Sequence, residues 1–245
     1  MNQRAVIFGA TSAIAIATTR ILSDRGYHLT LVGRDGDKLE DLSKEYIARG
    51  SVCEIAVCDF SDLTDTLSTL KVLPKDPDLV LIAHGTLPEK QEEVIADPVA
   101  LQSVTNINFL SSAVIACHYG RELSLLPRKK RTVAIISSVA GDRGRASNYL
   151  YGSLKSAVSA LTSGLRQAYR GAEINFLTIK PGMVSSPMTK NFKKGPLFSP
   201  PESVAADIVK AIDTASAVVY SPFYWRIIMG IILAIPEGIF KRLKF

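Results

Sequence analysis

The 245-residue sequence predicts an α/β fold: a doubly wound, seven-stranded parallel sheet with helices on both faces. Two observations predict it. Apolar runs of strand length alternate with helix-length amphipathic stretches as far as about Tyr220. The strand-like runs are also nearly continuous in apolar character, as expected of strands buried on both faces of a parallel sheet. Strands are predicted at 5–8, 28–32, 52–57, 79–83, 132–137, 175–179 and 218–220. A Rossmann-type sheet of this kind binds its ligands beyond the carboxyl ends of its strands.

Taken in order, Arg4-Ala5-Val6-Ile7-Phe8 reads as a core strand and not as a signal peptide. Helices at 13–24 and 37–49 stop before Gly26 and Gly50, residues suited to a left-handed C-terminal turn. Cys53 and Cys58 lie an odd number of residues apart around the third strand, hence on opposite faces. With Cys117 they read as buried thiols of a reducing compartment. They form no ligand spacing with the three histidines, so no metal is expected. The basic run Arg128-Lys129-Lys130-Arg131 reads as a solvated loop before the fifth strand. Net charge is a modest +6, and without aromatic interleaving the basic runs do not point to nucleic acid. At 26.5 kDa and 47% hydrophobic residues, one large core is expected over 1–222, with 223–245 as an appendage.

Chemistry enters at the fifth strand and the helix after it. Tyr151 and Lys155 are four residues apart, one turn apart on one helical face, and a strand ending at Ser138 brings its hydroxyl beside the phenol. A phenol near pKa 10 becomes a useful acid–base group only when a neighbouring ammonium stabilises its phenolate. That set suits proton donation to a carbonyl.

With the Gly9 turn at the N-terminus, this combination resembles the short-chain dehydrogenase/reductase family over residues 4–220. The resemblance implies that Tyr151 protonates the carbonyl oxygen, Ser138 steadies the developing alkoxide, and Lys155 binds the nicotinamide ribose while lowering the tyrosine pKa. Asn108 fits the fourth family position, holding a relay water, with Asn106 as the rival.

The cofactor segment is Gly9-Ala10-Thr11-Ser12-Ala13-Ile14-Ala15, where the family carries three glycines. Here Ala13 and Ala15 replace two of them. An added methyl is tolerable if both residues have negative φ. The second strand ends in Arg34 where an NAD site places an acid, which favours NADP(H): a guanidinium suits a 2′-phosphate. By resemblance, Asp59 and Phe60 flank the adenine, and Ala83, His84 and Gly85 stand where relatives carry Asn-Ala-Gly. Pro181, Gly182, Val184 and Ser186 would border the nicotinamide. His84 reads as a hydrogen-bonded substitute.

The loop containing Arg143 and Arg145, together with the C-terminus, resembles the family branch that contains the decaprenylphosphoryl-2-keto-erythro-pentose reductase. That likeness implies a polyprenyl-phosphate-linked keto-sugar, with both arginines at the pocket rim binding its phosphodiester. Solvated or ion-paired loop arginines are the plain alternative. A reductase of fatty-acyl or other hydrophobic carbonyls, its pocket lined by Met183, Met188, Phe192 and Phe198, is the enzyme-class rival. A catalytically idle NADP-binding scaffold is the rival from another class. Past Tyr220 come Phe223-Tyr224-Trp225-Arg226, a charge-free run 227–236, then Lys241-Arg242-Leu243-Lys244. The charge-free run is about half of the roughly 20 residues needed to span a bilayer. An interfacial helix is expected, on a cytoplasmic protein peripheral or monotopic at the membrane face. A helix packed on the domain or at a dimer contact is the alternative, and homo-oligomerisation is expected from the family.

Overall fold

In the computed structural model, which describes residues 3–243, β1 (Arg4–Phe8) lies centrally in a seven-stranded sheet. The other strands are β2 (His28–Gly33), β3 (Cys53–Val57), β4 (Leu79–Ile82), β5 (Arg131–Ile136), β6 (Ile174–Pro181) and β9 (Val218–Ser221). Every pairing is parallel, in the order β3-β2-β1-β4-β5-β6-β9. A short pair, β7 (Met183–Val184) and β8 (Phe198–Ser199), stands apart from it.

Alternation along β1 shows why one sheet needs two helical layers. Ala5 and Ile7 join a core with residues of α1 (Ala13–Asp24), α2 (Gly36–Ala48) and α8 (Pro201–Asp213). Val6 and Phe8 point the other way, into a core shared with α3 (Leu63–Val72), α6 (Ser111–Ser124) and α7 (Tyr149–Ala168). Between β4 and α6 come α4 (Gln91–Ala96), α5 (Pro98–Thr105) and a π-helical turn at Asn106–Leu110. The continuous helical stretch Pro98–Ser124 is long and apolar enough to cross a membrane by composition. Ile115, Ala116, Tyr119 and Leu123 are buried in the sheet's core, so it serves as a core helix.

All seven predicted strands occur, and α1 has the predicted bounds. Three expectations are corrected. Arg131 is not in a solvated loop: it opens β5, 7% exposed, donating to the Pro127 carbonyl. Cys117 is exposed, and Cys53 only partly buried. β3 is an edge strand whose residues are all exposed or only partly buried.

The C-terminal segment folds back. After β9, α9 (Tyr224–Ala234) buries Trp225, Met229 and Ile232, and α10 (Glu237–Phe240) adds Phe240 to a small core with Val139. The packed-helix alternative is therefore met on one side of α9.

Candidate active site

Strand ends and one helix face converge at the sheet's carboxyl edge. Ser138 follows β5 and accepts from the Ala140 amide at 3.1 Å, capping a 3-10 turn over Val139–Gly141. The Ser137 hydroxyl donates to the Lys155 carbonyl at 2.7 Å and pairs with the Ser159 hydroxyl at 2.7 Å, tying this strand end to α7. Ser137 has no part in the sequence-based assignment, and only its place beside Ser138 signals it.

Tyr151 and Lys155 stand one turn apart on α7, the Lys155 Nζ 5.8 Å from the phenol ring centroid. Lys155 is 2% exposed and donates to the Ile136 carbonyl at 3.1 Å. Burial lowers its pKa to about 8. Burial also raises Tyr151 to about 12, opposed by a hydrogen bond with Ser138. Desolvation therefore outweighs the Ser138 hydrogen bond at the phenol. The tyrosine is a protonated donor at neutral pH, and the lysine is still mainly a cation.

Asn108 is fully buried in the π turn. Its Nδ2 donates to the Val104 carbonyl at 3.0 Å, and its Oδ1 accepts from the Thr86 amide at 3.0 Å. A Cβ placed on Gly85 would lie 3.2 Å from Asn108 Oδ1 and 3.3 Å from Lys155 Nζ, so both groups converge there. Asn106 points elsewhere, donating to the Ser61 carbonyl at 2.6 Å.

Residues 9–12 form a close turn between β1 and α1. Gly9 has φ +73°, and a Cβ would sit 2.5 Å from the His84 amide nitrogen, so glycine is needed on both counts. Ala13 and Ala15 lie in the first turn of α1 and are not among the positive-φ residues, which accommodates their methyls. Thr11 and Ile14 flank Ser12, which caps α1 by accepting from the Ala15 amide at 3.2 Å. No acidic residue occupies the first turn, leaving the helix's positive end to a phosphate.

Arg34 is exposed beyond β2. Asp35 does not compete for it strongly: it caps α2 and pairs with Lys38 at 2.8 Å. Those Lys38 contacts, side chain first, hold its carboxyl below the usual range. Asp59 is exposed and accepts from the Ser61 amide and hydroxyl, while Asp62 caps α3. Phe60 is buried and stacks on the His84 ring at 3.9 Å, so its side chain is core. His84 Nε2 meets the hydroxyls of Ser111 at 2.8 Å and Ser112 at 3.2 Å. Burial, then the nearby Lys155 charge, drives its pKa down to about 3, leaving a neutral imidazole. Its Nδ1 is buried without a partner, and Ala83 beside it is buried. The Gly9 cradle, the acid-free helix end, exposed Arg34 and the Gly85 convergence together fit a nicotinamide dinucleotide.

Pro181, which ends β6, and Val184 are buried, and the Val184 carbonyl accepts from the Thr189 hydroxyl at 2.6 Å. Thr189 also receives the Ser186 amide at 3.2 Å. The Trp225 indole lies against Gly182 so closely that a Cβ there would fall inside the ring. Sequence reasoning missed this Trp225 contact, because its partner is 43 positions away in the chain.

Arg143 requires a correction. It does not lie free at the rim: its Nη1 donates to the carbonyls of Ile232 at 2.5 Å and Ile235 at 2.7 Å, and its Nη2 pairs with Glu237 at 2.9 Å. Its guanidinium also covers the Phe240 ring at 3.7 Å. The end of α9 leaves carbonyls without helical partners, and a planar five-donor group satisfies them. Arg145 is less committed. Its Nη2 reaches the weak acceptor Met229 Sδ at 3.3 Å, and its buried Nε has no partner. Beneath both, Asp142 accepts from Lys180 at 2.5 Å and from the Tyr220 hydroxyl at 2.8 Å.

A family model described as short chain dehydrogenase matches residues 3–196. An uncharacterised oxidoreductase of Streptomyces coelicolor is 29% identical over 97% of this chain and 94% of its own length. A very-long-chain 3-oxooacyl-CoA reductase of Caenorhabditis elegans is 30% identical over 82% of this chain and 66% of its own. Among solved structures, a short-chain dehydrogenase from Sphingobium yanoikuyae in complex with NADPH superposes with TM-score 0.80 at 17% identity, covering 96% of this chain and 97% of its own. An actinorhodin polyketide ketoreductase with NADPH gives TM-score 0.79 at 17% identity, covering 91% and 97%.

Proposed function

The chain belongs to the short-chain dehydrogenase family and is an oxidoreductase, and from that premise we propose that it uses NADP(H) to interconvert a ketone and a secondary alcohol on a polyprenyl-phosphate-linked keto-sugar. The observation that carries the chemistry is a linked set: Asn108 and Lys155 converge beside Gly85, Lys155 stands 5.8 Å from the Tyr151 ring, and Tyr151 hydrogen-bonds Ser138. The nicotinamide supplies the hydride. Tyr151, kept protonated by burial, gives its proton to the carbonyl oxygen, and Ser138 hydrogen-bonds that oxygen as charge develops. Lys155 holds the nicotinamide ribose hydroxyls and favours the phenolate left behind. Asn108 positions the water that returns a proton through Lys155. Arg34 reads the 2′-phosphate.

Arg145, with one buried donor unanswered, remains as the substrate-anion residue. Arg143 acts indirectly, by holding α9 in place. The protein works at the cytoplasmic face of a membrane, where a lipid-linked substrate resides. A second reading, reduction of fatty-acyl or other hydrophobic ketones, is favoured by exposed Met183, Met188 and Phe192 near the site and by likeness to the nematode reductase.

The deciding experiment follows NADPH oxidation with a polyprenyl-phosphate keto-pentose, a long-chain 3-oxoacyl thioester and short ketones. Tyr151→Phe lowers kcat by about a thousandfold, the scale of a lost general acid, while NADPH affinity stays within about twofold. Turnover of the thioester alone replaces the first reading with the second. Absence of turnover on every carbonyl overturns both.

A further inference from the structure

Helix α9 is apolar on opposite sides. Trp225, Met229 and Ile232 face the domain, whereas Phe223, Ile227 and Ile231 are 71%, 56% and 64% exposed. A helix apolar all round is at home only where both sides are covered. A second segment extends the uncovered side. Between β7 and β8 the chain presents Met188, Phe192 and Leu197, 44%, 49% and 41% exposed. Loop and helix adjoin, because the Tyr224 hydroxyl donates to the Leu197 carbonyl at 3.4 Å.

Charge identifies what covers this face. Lys190, Lys193 and Lys194 in the loop, and Arg226, Lys241 and Arg242 around the helices, are all exposed. Across 182–200 and 222–243 the sole acidic residue is Glu237, which already pairs with Arg143 at 2.9 Å. From a neighbouring element, Glu89 approaches the loop to accept from Asn191 at 2.6 Å. A two-fold dimer through the patch would set cations against cations with almost no acid to answer them. An anionic lipid surface meets both the apolar centre and the basic rim. The 11-residue α9 is about 16 Å long against roughly 30 Å of hydrocarbon, so it lies in one leaflet.

We propose that the 183–199 loop and α9 form one composite docking face for an anionic lipid leaflet. The docking stands on these residues alone; its link to a lipid-borne substrate rests on the function proposed above.

The test is sedimentation of the full chain, loaded with NADPH, with vesicles of phosphatidylcholine and phosphatidylglycerol against phosphatidylcholine alone. Binding to the mixed vesicles is expected to exceed binding to the neutral ones by tenfold or more. Lys193→Glu with Lys194→Glu lowers it by about twentyfold or more, since each cation near such a surface contributes about fivefold. Ile227→Asp with Ile231→Asp abolishes it. NADPH fluorescence reports that each variant is folded. Equal sedimentation with and without vesicles overturns the proposal. Binding lost with the helix variant but unchanged by the loop variant overturns the composite face. A vesicle-free dimer dissolved by the helix variant, without vesicle binding, makes a second copy the occupant. Failure to bind with intact ketone reduction sinks the face and spares the reductase, and the reverse result sinks only the reductase.

Discussion

The two sides of the proposed site are built on different principles. On the cofactor side, polar groups are buried and held by the backbone: Asn108 by Val104 and Thr86, Lys155 by Ile136, His84 by two serines. On the substrate side, apolar side chains stand exposed on a loop and a helix, and one arginine clasps that helix to the domain. The difference teaches where invariance and variation can reside. Chemistry requires groups fixed in low dielectric, where each lost contact costs the full desolvation of its partner. Substrate choice requires a surface that can change without disturbing the sheet.

Four changes break or sharpen that contrast. The largest effect is expected at Lys155. Lys155→Met lowers kcat by about a thousandfold and weakens cofactor binding. It also removes a pH dependence. With a folded pKa of about 8 against 10.5 unfolded, the unfolded chain binds more protons between those values. Stability of the cofactor-free wild type therefore rises from pH 8 towards pH 10.5, by on the order of 3 kcal/mol from this group. Urea titrations across that window detect the slope, and the methionine variant lacks it. A wild type flat across the window would mean that Lys155 is well solvated.

Next is Arg34→Ala. It raises the Kd for NADPH by roughly 10- to 100-fold, as loss of a charge-assisted contact requires, and changes NADH binding by less than about twofold. Equal losses for both cofactors would remove the 2′-phosphate assignment.

On the substrate side, Arg143→Ala frees the end of α9 and costs on the order of 1–3 kcal/mol. Arg143→Lys rescues little of it, because an ammonium cannot span two carbonyls and a carboxylate. Thermal unfolding measures both variants. The smallest effect is at Arg145. Arg145→Ala raises KM several-fold for a phosphate-bearing substrate but not for a neutral ketone. Equal KM changes for both would make it a packing residue.

Much of the fold and of the proposed site was legible in the sequence, because their signals are local. Ser12 and Gly26 bound α1 within a few residues of chain, and Tyr151 and Lys155 share a helix face by spacing alone. Alternation of strand and helix was enough to predict seven parallel strands. What escaped is non-local. The π turn that separates the directions of Asn106 and Asn108 has no sequence signature, since it differs from an α turn by one extra residue. The buried state of Arg131 and the open edge of β3 depend on which elements lie alongside.

The C-terminus divides the two kinds of information most clearly. Composition alone determined that 223–245 is apolar and basic at its end, and that its charge-free run 227–236 is too short to span a bilayer. With apolar residues on every side of α9, periodicity had nothing to distinguish, so only tertiary packing decided that Trp225, Met229 and Ile232 turn inward. Packing likewise turned Arg143 from a rim residue into a helix clasp, because its partners lie 89 to 94 residues further along the chain. Sequence determines what each short segment is able to be, through local sterics and apolar spacing. Which groups meet across the molecule is settled when the sheet places strand ends and helix termini side by side, and buried donors must then find acceptors.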